Sequence, residues 1–127
     1  MDENGIAREI VDAALKIHKD LGPGLLESVY EMVLTYELER RGLSVLRQVP
    51  ISVEYEGRIF EEGFRIDLLV GGKVVVELKS VEAASAVHKK QVLTYVRLAK
   101  LRLGLLINFG SATLKGGVTR IVNGLPD

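Results

Sequence analysis

Apolar positions change their period along this chain, and the changes divide it into helices and strands. Residues 4–20 repeat Ile6, Ile10, Val11, Ala14, Leu15 and Ile17 at three- and four-residue intervals, the stripe of an amphipathic helix. Leu21-Gly22-Pro23-Gly24 ends it, since glycine and proline punctuate helices. A second stripe over about 24–41, with Leu26, Val29, Tyr30, Val33 and Leu34 inward, stops at Gly42. The pattern then turns strand-like over about 44–55, 58–70 and 74–80, with Glu56-Gly57 and Gly71-Gly72 at the turns. A third helix is predicted over about 84–99, with Ser85 as its N-cap. The near-continuous apolar run 103–109 reads as a buried strand, and 118–122 makes a short last strand after the loop 110–117.

The order α-α-β-β-β-α-β-β predicts a single α/β domain over residues 1–127, a mixed central sheet flanked by helices. The apolar fraction of 47% and the even scatter of charge fit a globular chain. No apolar run approaches the roughly 20 residues of a membrane span. The charged first twenty residues lack a signal-peptide layout, so a cytoplasmic protein is expected. With no cysteine and two histidines, disulfides and thiolate metal sites are excluded and a structural zinc site is disfavoured. Lys and Arg total 17, as do Asp and Glu, and this balance argues against strong nonspecific attraction to nucleic acid.

Candidate chemistry lies where two apolar strands carry charge. Asp67 ends the run Phe64-Arg65-Ile66, and Glu77 and Lys79 follow Val74-Val75-Val76. Strand side chains alternate faces at about 3.3 Å per residue, so Glu77 and Lys79 share one face roughly 6–7 Å apart. An acid and a lysine on a buried strand are costly unless each has a partner or a metal. Two carboxylates and a lysine are the minimal set for holding Mg²⁺ against a phosphodiester. Register decides whether the acids meet. A two-residue Gly71-Gly72 turn sets Asp67 opposite Val76, whereas a three-residue Gly71-Gly72-Lys73 loop sets it opposite Glu77, and the longer loop is expected. Gln91 and Tyr95 lie four apart on one face of the third helix, joined by His88. Glu27 and Tyr30 share a face of the second. His18, near the end of the first helix, is expected to bond the end carbonyls.

Asp67 followed after nine residues by Glu77-Leu78-Lys79 resembles the PD-(D/E)xK nuclease signature, with Ile66 where the name has proline. Gln91-Val92-Leu93-Thr94-Tyr95 resembles the QxxxY motif of its RecB-type and lambda-exonuclease-like branches. Gly24-Leu25-Leu26-Glu27-Ser28-Val29-Tyr30 matches the motif of the GxxExxY family within that superfamily. The resemblance covers nearly the whole chain and implies a restriction-endonuclease-like αβββαβ core with an extra N-terminal helix and C-terminal strand. It implies a metal-dependent nuclease cutting nucleic acid, with DNA expected. Asp67, Glu77 and Glu27 would hold Mg²⁺ or Mn²⁺, and Lys79 would orient water or neutralise phosphate charge. Gln91 and Tyr95 would position substrate or support the metal shell. His88, Lys89 and Lys90 could meet phosphates at a helix N-terminus. A chain this small is expected to need a second copy or a protein partner to span a duplex. The alternative is a nucleic-acid-binding or regulatory module on the same fold that does not cut.

Overall fold

The structure, a computed structural model, describes residues 1–126. Helices α1 (Glu3–Leu21) and α2 (Glu27–Arg40) precede strands β1 (Val45–Tyr55), β2 (Arg58–Val70) and β3 (Val74–Lys79). Helix α3 (Ala86–Leu98), β4 (Leu103–Asn108), a 3-10 turn (Lys115–Gly117) and β5 (Val118–Val122) complete the chain. The strands form one five-stranded sheet in the order β1-β2-β3-β4-β5. Every pairing is antiparallel except β3 with β4, and α3 supplies the crossover that parallel neighbours require.

Both faces of the sheet centre are covered. Val74, Val76 and Leu78 join Ile10, Tyr30 and Leu34 in one apolar cluster, which places α1 and α2 on that face. Val75 and Leu106 pack with Val92, Tyr95 and Val96 of α3 on the other. Burial on both sides explains why β3 and β4 read as continuous apolar runs rather than alternating ones. A polar clamp closes the α1–α2 contact. Arg41 reaches Asp12 at 2.8 Å, Glu37 at 3.0 Å and Glu9 at 3.2 Å.

The β2–β3 connection is the three-residue loop. Val70 pairs with Val74 across Gly71-Gly72-Lys73, and Lys73 donates its N–H to the Val70 carbonyl at 3.1 Å. Gly71 and Gly72 have φ of 61° and 67°, left-handed values that favour glycine. Counting down this ladder from Leu68↔Val76 sets Asp67 opposite Glu77.

Two local expectations change. Helix α2 begins at Glu27 rather than near 24, because Gly24 sits at φ 101° and cannot continue a helix. Leu26 therefore stands outside the helix, 73% exposed, while Leu38 turns inward with Tyr30 and Leu34. His18 does not serve its own helix end: its Nε2 contacts the Ser111 carbonyl at 2.9 Å, and its ring stacks on Phe109.

Candidate active site

Strands β2 and β3 pair from Leu68 to Val76 and then part, and the two acids sit at the parting. Each carboxylate replaces the backbone partner that the opposite strand has lost. The Asp67 N–H donates to Glu77 Oε1 at 3.1 Å, and the Leu78 N–H donates to Asp67 Oδ2 at 2.8 Å. A buried backbone amide needs an acceptor, so this exchange lets the strands separate without stranding a donor. It also fixes both carboxylates side by side.

Glu77 is 7% exposed. Burial, then the Asp67 charge, push its carboxyl from 4.5 up to about 9. Lys79 projects from the same face of β3, half-buried, and forms no ion pair among the described residues. Its charge acts on Glu77 only across space, as the smallest of these influences and opposite in sign to burial and the Asp67 charge.

Helix α3 brings Tyr95 to the pair. Burial, then the charges of Glu77 and Asp67, raise the Tyr95 hydroxyl above its ordinary value, which places the ring within their field. The Tyr95 ring tilts against Phe64 with centroids 5.2 Å apart, and both rings line a cleft of about 740 Å³ with Pro50 and Arg65. Gln91, one turn earlier on the same helix face, is exposed, and its side chain makes no hydrogen bond among the described residues. His88 caps its own helix: the Ser85 N–H donates to His88 Nδ1 at 3.2 Å. Lys89 and Lys90 are exposed at the same end of α3.

Glu27 is not gathered with the two acids. It is exposed at the first turn of α2 and lines a separate cleft of about 640 Å³, whose wall includes Ser80, Val81 and Glu82 just past Lys79. Among the described residues no three acidic or histidine side chains converge as a ready-made metal group, so the expected Glu27–Asp67–Glu77 triad is an Asp67–Glu77 pair. Glu27 is the first residue of α2 and lies at its exposed entrance, one turn before the buried Glu31 on the same side. Tyr30 packs as core. Its ring stacks on Phe109 at 4.2 Å, and its hydroxyl donates to the Gly22 carbonyl and accepts the Leu25 N–H. The Gly24 and Tyr30 positions thus shape and pin the α1–α2 loop.

The acid of α2 that does reach the site is Glu31, one turn after Glu27. It is 7% exposed and accepts from Arg47 Nη2 at 2.9 Å and Gln48 Nε2 at 2.6 Å. Gln48 Nε2 also lies 3.4 Å from Asp67 Oδ1. Sequence reasoning missed all three residues. The available signal was that Glu31 follows the buried Tyr30, a placement that demands charged partners once α2 is docked.

The sequence matches the model of the PD-(D/E)XK nuclease superfamily over residues 4–121. No curated protein matches it. Among solved structures it is similar to the crystal structure of SSO0001, at 18% identity and a TM-score of 0.56. That alignment covers 97% of this chain and 61% of the other, so the likeness is one of fold and this chain spans less than two thirds of that protein.

Proposed function

Because this chain belongs to the PD-(D/E)XK nuclease superfamily, we propose that it is a divalent-metal-dependent nuclease that hydrolyses phosphodiester bonds in DNA. The motifs at Gly24–Tyr30 and Gln91–Tyr95 support reading it as a member of the GxxExxY family, near the RecB-type and lambda-exonuclease-like branches. The observation that carries the reading is the mutual capping of Asp67 and Glu77 at the parting of β2 and β3, with Lys79 unpaired beside them. A buried carboxyl raised to about 9, held against a second acid with a lysine on the same face, supports a functional reading of the cluster.

The donor set fits Mg²⁺ or Mn²⁺. Both are hard cations that take carboxylate oxygens and retain several waters, so two fixed carboxylates suffice as the protein's share. Burial, then the Asp67 charge, disfavour the ionised form of Glu77, and a bound cation would offset both. When bound, the ion supplies a water of lowered pKa and positive charge next to the phosphate. Asp67 and Glu77 would hold that ion, and Glu27 would contribute through water. Lys79 draws the scissile phosphate in and stabilises charge on its oxygens as the transition state forms. Tyr95 and Gln91 support the substrate from α3, and Lys89 and Lys90 with His88 Nε2 meet more distant phosphates. In the reaction the water oxygen bonds to phosphorus, one ester P–O bond breaks, and the leaving oxygen takes a proton.

Labelled single-stranded, double-stranded and branched DNA, with RNA in parallel, tests this in the presence of Mg²⁺ or Mn²⁺. Cleavage that stops on chelation and is absent from Asp67→Ala is expected. Metal binding without cleavage of any substrate would favour a module that binds but does not cut.

A further inference from the structure

Gln48 lies inside β1, between Arg47, paired with Leu68, and Val49, paired with Ile66. It therefore stands opposite Asp67. Its φ is 52°, a left-handed value that strains any residue with a Cβ. Pairing resumes on both sides, so no chain reversal requires this conformation. Such strain persists where the surroundings hold it, and here a side-chain network does so. In a regular strand Arg47 and Gln48 would point to opposite faces. The left-handed residue brings both to one carboxylate. Arg47 bonds Glu31 Oε2 through Nε at 3.1 Å and Nη2 at 2.9 Å, and Gln48 Nε2 bonds Glu31 Oε1 at 2.6 Å. The same Nε2 lies 3.4 Å from Asp67 Oδ1, so the two N–H groups of one amide face two acids.

We infer that Gln48 is a positioning residue: anchored by Glu31 and Arg47, its amide holds Asp67 so that Oδ2 stays on the Leu78 N–H and Oδ1 is aimed for a metal. The metal half of this inference rests on the nuclease reading, whereas the orientation half does not.

Two variants separate positioning from mere backbone strain. Gln48→Gly removes both the strain and the amide. Gln48→Asn tolerates the left-handed region but is one methylene too short to span both acids. Hydrogen exchange of the Leu78 amide is read in metal-free protein against the buried Leu106 amide, and Mn²⁺ affinity is read by calorimetry. Strain relief and the lost hydrogen bond to Glu31 oppose one another, so both variants should melt close to wild type. Leu78 protection should nevertheless fall about tenfold, as its acceptor loses a charge-assisted hydrogen bond. Mn²⁺ affinity should fall roughly 10- to 100-fold, the range for a lost outer-shell partner. Wild-type Leu78 protection in variants with a raised melting temperature would overturn the inference, leaving Gln48 a strained strand residue. Reduced protection in a protein whose wild type binds no Mn²⁺ would keep the positioning role and remove the metal centre.

Discussion

Buried beside Asp67, the Glu77 carboxyl holds its proton to about pH 9 instead of 4.5. The folded metal-free protein then binds more protons than the unfolded chain between those values, so stability falls as pH rises through that window. The contribution is fully present below about 4.5 and lost above about 9. Glu77→Gln, which cannot ionise, should flatten this slope, and urea midpoints measured from pH 5 to pH 9 check it. A slope equal to wild type would mean that Glu77 is not the titrating group. Lys79 makes a different prediction. Lys79→Ala should cut cleavage by roughly 10²–10³, the usual loss when one electrostatic stabiliser is removed. Metal affinity should survive, because an ammonium is not a ligand. Single-turnover rates alongside metal titrations separate this from structural damage, which would reduce both.

At the scale of elements, the position of Tyr95 depends on how closely α3 sits on the sheet. Gly104 in β4 allows that approach: a Cβ there would come within 2.7 Å of both Val92 Cγ1 and Val96 Cγ2. Both valines are buried and stiff, so the helix must move. Gly104→Ala should therefore cost roughly 1–3 kcal/mol, as overpacked cores do, and should lower cleavage by shifting Tyr95 from the carboxylates. Unchanged urea stability would show that α3 has room to spare. The same elements show what the sequence revealed. The alternation through Val74-Val75-Val76-Glu77 and the glycines at 71 and 72 contain enough to set Asp67 against Glu77, because strand period and loop length are local properties. Gln48 was hidden, since nothing in Val45-Leu46-Arg47-Gln48-Val49 marks a left-handed residue. Its conformation follows from Glu31 on a helix distant in sequence.

Over the whole molecule, α1 and α2 cover one face of the sheet and α3 the other, and the acids emerge where β2 leaves β3. Periodicity made this architecture legible. The choice between Glu27 and Glu31 was not, because both lie on the same side of α2 and only its docking and starting point decide which is buried. No helix among the described residues is long and apolar enough to cross a membrane. If Asp67 and Glu77 form one divalent-cation centre, calorimetric titration of Mn²⁺ at pH 7 should distinguish wild type from Asp67→Ala. Wild type should show saturable binding whose heat varies with the ionisation enthalpy of the buffer, since Glu77 must release its proton to become a ligand. Asp67→Ala should show none. Equal isotherms for the two proteins, or no binding by wild type, would mean that the two carboxylates hold no cation together.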